Sequence, residues 1–221
     1  MKHTLLINVE TILTDYVSDS IHFWNEKAKL IKQPLPLDFL ESWLSAGYDA
    51  TEMVFFRFPR FKAFQDESTL LYTKANQTLK ANRDILVQLK AFGLANNMTI
   101  VYAFDQNKRF DPTIKPFIEA IDKSAIVLFN DDAILGKPEA NLYFKAAKLS
   151  KSKPSKTIVL AASKNGLLAA HVGFMRSVYL DQGLGVSERI FKYSNRQATT
   201  LDQALTYASF IANNKITSNQ K

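Results

Sequence analysis

The sequence predicts an α/β protein, a doubly wound and mostly parallel sheet that also carries a helical lobe. Three observations predict it. Short apolar runs rich in β-branched residues recur along the chain, as strands covered on both faces require. Segments with helical spacing separate them, which is the alternation of a parallel sheet. One long stretch near the amino end carries helical patterns and no strand pattern.

Leu5-Leu6-Ile7 is the first strand run, and a polar-rich turn follows it. Ile21, Trp24, Ala28 and Ile31 then share one helical face, and Pro34 and Pro36 are expected to stop that helix. Asp38 opens a second short helix expected to end near Gly47. No strand pattern occurs from Tyr16 to Ala81. Ile85, Leu86, Leu89 and Phe92 form a stripe behind Asn82 as candidate cap and ahead of Gly93 as terminator. Thr99–Ala103 is the next strand, and Asp111-Pro112 places a cap residue before a proline at the first helical position. Ala125–Phe129, Thr157–Ala161 and Ser177–Leu180 are further strands. Leu142, Ala146 and Leu149 mark the helix between the first two of these. Leu201, Ala204, Leu205, Ala208 and Ile211 mark the last helix, and the polar tail from Asn213 to Lys221 is expected to fray. The division expected is an α/β core, residues 1–15 and 82–221, with a helical lobe, residues 16–81.

Composition narrows the function classes. The 221 residues are 47% hydrophobic and 22% charged, the profile of a globular protein large enough to bury a substantial core. With no cysteine, a disulfide scaffold, a thiol nucleophile and a cysteine-ligated metal are excluded. No apolar run approaches the roughly 20 residues of a membrane span. The start, Met1-Lys2-His3-Thr4-Leu5-Leu6-Ile7-Asn8, meets a polar residue too soon for a signal peptide. A cytoplasmic protein with no membrane partner is expected. The balance of 28 Lys+Arg against 21 Asp+Glu gives +7, which raises nucleic acid as a partner. The charges are scattered, however, and the dense run Lys148, Lys151, Lys153 and Lys156 around Pro154 reads as a solvated loop. Nucleic acid is therefore not the expected partner.

Three further features have more than one reading. His3, His22 and His171 lack metal-ligand spacing and read as structural or exposed. Asp105, Asp131 and Asp132 could supply a metal site, but loop carboxylates more often cap helices. Phe55-Phe56-Arg57-Phe58-Pro59-Arg60-Phe61-Lys62-Ala63-Phe64 interleaves five phenylalanines with three cations. It is expected to pack the lobe core with its cations at the surface, although a partner surface or a base-stacking surface has the same composition.

Two motifs in the later half go together. Gly136-Lys137-Pro138-Glu139 opens a helix through Tyr143, Ala146 and Leu149. A strand then ends at Ala161-Ala162 and is followed by Ser163-Lys164-Asn165-Gly166-Leu167-Leu168-Ala169-Ala170. This pairing resembles the haloacid dehalogenase (HAD) superfamily, in particular its beta-phosphoglucomutase-like branch. Leu6-Ile7-Asn8-Val9-Glu10-Thr11-Ile12-Leu13-Thr14-Asp15 matches that family's opening motif in position and flanks. The helical stretch matches its cap domain. The resemblance implies a HAD-like Rossmannoid core with a helical cap, covering nearly the whole chain.

The family's chemistry is altered at matching positions. The opening motif is Asp-x-Asp, in which the first aspartate attacks phosphorus and the second is the general acid/base; here they are Asn8 and Glu10. A neutral amide is a poor nucleophile, and Glu10 carries its carboxylate one methylene farther out. Ala103 stands where the family places a Ser or Thr for the phosphoryl group. Ala161 and Ala162 stand where it places Mg²⁺ carboxylates. Lys137 is retained, either as an anion-binding group or as a partner of Glu10 or Asp132. Mg²⁺ needs hard oxygen ligands, usually with carboxylates among them, so no cofactor is expected although the family uses Mg²⁺. The expectation is a HAD-like protein without standard phosphoryl transfer, binding a protein partner or a phosphorylated small molecule with Lys137 and Asn8 at the anion. One alternative is an active hydrolase or phosphatase using Glu10 with Asp105 or Asp15. The other is a basic nucleic-acid module.

Overall fold

The structure, a computed structural model, describes residues 2–36, 39, 55–104, 112–129, 140–181 and 192–213. Strands β1 (His3–Asn8), β2 (Met98–Phe104), β3 (Ile126–Phe129), β4 (Thr157–Ala161), β5 (Arg176–Leu180) and β6 (Arg196–Ala198) form one sheet in the order β3-β2-β1-β4-β5-β6. All neighbouring pairs are parallel. The predicted α/β class and parallel sheet are thus what the chain adopts. β1 is central because Leu5, Leu6 and Ile7 are each fully buried, which only a strand covered on both faces allows.

Alternate residues divide the core between the two faces, as strand periodicity demands. Leu5, Ile7, Ile100, Tyr102, Ile158 and Leu160 face one way. They pack on helices α4 (Arg83–Ala95), α5 (Ile114–Ile121) and α8 (Leu201–Asn213). Leu6, Val101, Ala103, Val159 and Ala161 face the other way, against α6 (Ala140–Leu149) and α7 (Lys164–Val172). The chain leaves β1 toward β2 and β3, then returns to β4 on the other side of β1. The carboxyl edge at β1 and β4 is therefore the topological switch point, where open α/β sheets form their crevice.

Between β1 and α4 the described elements are the short α1 (Val9–Ile12), α2 (Tyr16–Leu30), a 3₁₀ turn (Pro59–Phe64) and α3 (Gln65–Ala81). Trp24, Ala28, Phe55, Phe61 and Phe64 make their own buried cluster, so most of the aromatic segment is core. Phe56 points outward, 90% exposed. Arg57 is exposed, and its guanidinium lies over the Phe39 and Phe58 rings at 5.7 and 5.6 Å, a cation–π arrangement at the surface.

Several local expectations are corrected. α2 ends at Leu30, before either proline, because Lys32 turns left-handed at φ 54°. Gly93 does not end α4 but lies inside it: a Cβ there would come within 2.9 Å of Ile100 Cγ1, so the glycine serves close helix–strand packing. Asn82 precedes α4 but makes no side-chain cap; its Nδ2 donates to the Leu13 carbonyl at 2.9 Å, tying the exit of the helical stretch to its entry. α5 begins at Ile114, beyond Pro112. Strand β6 was not foreseen, because Arg196-Gln197-Ala198 is an edge strand whose polar residues show no apolar run. Asp38, Gly47, Asp111 and the tail beyond Asn213 lie outside the described residues.

Candidate functional site

The carboxyl ends of β1, β2 and β4 bring together Asn8, Ala103, Ala161 and Ala162. Asn8 lies directly opposite Ala103 in the parallel register, and Ile7 opposite Leu160. Each of the four is at most 1% exposed, and Glu10 in α1 is 4% exposed. Sequence positions up to about 150 apart thus meet at one edge, as their motif order implied. Lys137, Asp105, Asp131 and Asp132 lie outside the described residues. Asp15 is exposed at the start of α2, and the three histidines are dispersed, with His22 and His171 exposed.

A hydrogen-bond network occupies the Asn8 side chain. Thr11 Oγ1 donates to Asn8 Oδ1 at 2.8 Å and accepts the Ala162 backbone N–H at 3.2 Å. Asn8 Nδ2 donates to the Tyr143 hydroxyl at 3.4 Å. β1, the turn after β4, and helix α6 are joined through the Asn8 amide and the Thr11 hydroxyl. Local sequence explains half of this: α1 begins straight after Asn8, so a residue three positions on returns over the strand end. The Tyr143 contact has no local signal, since it spans 135 positions.

The side of this network toward Gly166 is closely packed. A Cβ on Gly166 would lie 2.8 Å from Ala161 Cβ, 3.1 Å from Ser163 Oγ and 3.2 Å from the Tyr143 hydroxyl. Ser163 caps α7, its hydroxyl accepting the Gly166 N–H at 3.1 Å. Tyr143 and the small pair Ala161 and Gly166 therefore pack as a unit. Sequence reasoning missed Thr11 and Tyr143 as members of this edge.

The donor set can be tested against Mg²⁺, the ion the family resemblance implies. Among the described residues named at the ends of β1, β2 and β4, those with side-chain oxygens are Asn8, Glu10, Thr11, Tyr143 and Ser163, of which Glu10 is a carboxylate; Asp181 follows β5, two strands away from β1. No group of three or more His, Asp or Glu among the described residues could hold a metal. A hard divalent cation prefers several anionic oxygens, so these residues do not fit it.

No family model matches the chain, and no curated protein does. Solved structures do. The beta-phosphoglucomutase of Clostridium difficile superposes with a TM-score of 0.63 over 96% of this chain and 98% of its own, at 15% identity. A hydrolase from Pseudomonas syringae gives 0.62 over 96% and 99%, at 16% identity. A haloacid dehalogenase-like protein of unknown function from Agrobacterium tumefaciens gives 0.63 over 96% and 100%, at 10% identity. The fold is the HAD-like hydrolase fold. Identity this low speaks to the fold alone, and the chemistry has to be argued from the site. Among the described residues no helix is long and apolar enough to cross a membrane.

Proposed function

We propose that this HAD-like chain is a pseudoenzyme: it does not carry out Mg²⁺-dependent phosphoryl transfer and instead binds a phosphorylated small molecule at the carboxyl edge of its sheet. The observation that carries the reading is the use of Asn8. At the position of the family's nucleophile stands a fully buried neutral amide whose oxygen accepts from Thr11 and whose nitrogen donates to Tyr143. Attack on phosphorus needs a free, electron-rich oxygen, and an amide oxygen held by a donor is neither. Phosphoryl transfer relies on positioning and on neutralising the charge of the transferred group. Without Mg²⁺ that neutralisation would fall to Lys137, which in this proposal holds the anion while Asn8 keeps the strand ends together. The domain division at residues 15 and 82 belongs to the same proposal, the helical stretch covering the edge where the anion sits.

Purified protein assayed with a generic aryl phosphate and Mg²⁺ is expected to show background turnover. A rate near 1 s⁻¹, in the ordinary enzyme range, overturns the proposal. Loss of that rate in Asn8→Ala would then place an unorthodox mechanism, for instance one using Glu10, at this edge. Millimolar Mg²⁺ is expected to leave the melting temperature unchanged. An ion at 100 times its dissociation constant would add about 2.7 kcal/mol, and such a rise abolished by Asn8→Ala would contradict the absence of a metal. Asn8→Asp alone is expected to restore nothing. Ala103 and Ala162 still lack their functional groups, and residues acting as a unit are not additive.

A further inference from the structure

Because all the strands run parallel, the loops that enter them gather at the end opposite Asn8. Charges that the sequence spaces apart meet there. Lys148 closes α6, and the loop to β4 carries Lys151, Lys153 and Lys156; Lys123 precedes β3, Lys2 and His3 open β1, and Arg176 opens β5. Thr4 pairs with Thr157 and Ile158 with Arg176, which sets Lys156 in the row between His3 and the start of β5. The Thr4 hydroxyl donates to Ser150 Oγ at 2.7 Å, holding the head of the lysine loop against β1. His3 is held below its ordinary value by burial and then by Lys156 and Arg176, which agrees with that crowding.

Little acid answers these cations. Asp122 is buried and accepts the backbone N–H and hydroxyl of Ser124 at 2.9 and 2.6 Å; Glu119, higher on α5, faces Lys115 at 3.8 Å. Among the described residues Lys123, Lys148, Lys151 and Lys153 make no ion pair, and all four are exposed.

An aromatic ring stands at the same end. Phe174 follows α7 and is 83% exposed. Its φ is 54°, a left-handed conformation that usually falls to glycine and costs a side-chain-bearing residue about 1 kcal/mol. The turn is fixed, with Phe174 N–H donating to the His171 carbonyl at 3.1 Å and Met175 N–H to that of Ala170 at 2.9 Å. α6 ends the same way, on Lys151 with φ 54°. Two adjacent helices thus present a cation and a ring at positions where the backbone favours glycine.

We infer that this end of the sheet binds single-stranded nucleic acid, its lysines neutralising phosphates while a base stacks on Phe174. Stacking needs one held ring beside a cationic track. An anionic bilayer would need more apolar area than Phe174 with the half-exposed Leu149 and Val172 provides. The inference rests on this face alone and not on the reading of the carboxyl edge.

Fluorescence anisotropy of labelled poly(U) with the full chain, at rising salt, tests it. Binding is expected at low salt, with log affinity falling linearly in log salt. The triple change Lys148→Glu, Lys151→Glu and Lys153→Glu should weaken it more than tenfold and flatten the slope by about 2, at about 0.7 per phosphate contact on a single strand. Phe174→Leu should weaken it roughly tenfold and leave the slope unchanged. A control triple of Lys29→Glu, Lys62→Glu and Arg83→Glu makes the same change in net charge elsewhere and should have a much smaller effect. Thermal melts check that each variant is folded. No binding by the unmodified chain, or equal loss in the two triples, overturns the inference. So does co-sedimentation with phosphatidylserine-containing vesicles that Phe174→Leu abolishes while poly(U) goes unbound.

Discussion

Thr11→Val separates a structural Asn8 from a catalytic one. Valine matches threonine in shape and branching, so backbone and packing are kept while one hydroxyl is lost. That hydroxyl donates to Asn8 Oδ1 at 2.8 Å and accepts the Ala162 N–H at 3.2 Å, with Thr11 only 3% and Ala162 only 1% exposed. Losing the first bond costs about 1 kcal/mol, and stranding a buried N–H costs about 1–3 kcal/mol. The added methyl returns about 0.8 kcal/mol. The net loss is about 2 kcal/mol, or roughly 4–8 °C in melting temperature for a chain of this size. Thr11→Ser keeps both bonds and loses one methyl, so it should cost only about 0.8 kcal/mol. Thermal melts of the three proteins, with hydrogen exchange at the Ala162 amide, measure this directly. The amide should exchange faster in the valine variant and as in the parent in the serine variant. If valine proves as stable as serine, the network does not hold the strand ends together and the structural account of Asn8 fails.

Other outcomes follow from the same packing. Gly166→Ala should lose about 1–2 kcal/mol despite alanine's higher helix propensity, because its Cβ would lie 2.8 Å from Ala161 Cβ; Ala161→Gly in the same chain should recover part of the loss, and simple additivity in a double-mutant cycle would refute the contact. Tyr102→Phe should raise the urea midpoint by about 1 kcal/mol equivalent at unchanged slope, since the Tyr102 hydroxyl is buried without a partner. Burial, and then Asp122, hold that phenol well above its usual range, so a fall in midpoint would reveal a bond the structure lacks. His3 gives a pH test. Burial first, then Lys156 and Arg176, lower its folded value below the 6.5 of the unfolded chain, so the unfolded state takes up the proton more readily. Its contribution is complete above pH 6.5 and is lost as pH falls below it. His3→Gln should flatten that part of the stability profile, and an unchanged profile would count against it.

The sheet was legible in the sequence because strands buried on both faces are written as continuous apolar runs, and those of β1, β2 and β4 carry almost no polar interruption. β6 was illegible for the converse reason: an edge strand needs only backbone pairing, and Arg196 and Gln197 face solvent. Cap and terminator signals at Asn82 and Gly93 misled, because each residue serves a contact with a distant element, Leu13 in one case and Ile100 in the other. At the candidate site the motif spacing singled out Asn8, Glu10, Ala103, Ala161 and Ala162. It did not locate Thr11 as the bridge between Asn8 and Ala162, or Tyr143 as the partner of the Asn8 amide.

By itself the sequence determined the α/β class and the parallel sheet. These depend on residue type and short-range periodicity, which a linear reading preserves. Only the tertiary structure decided that the Asn8 amide is bound on both atoms, and that lysines from separate loops share one end with an exposed Phe174. Both facts depend on which strand lies beside which. Hydrogen bonds act over about 3 Å and charges over about a Debye length, so their partners are set by the order of strands in space rather than by spacing along the chain.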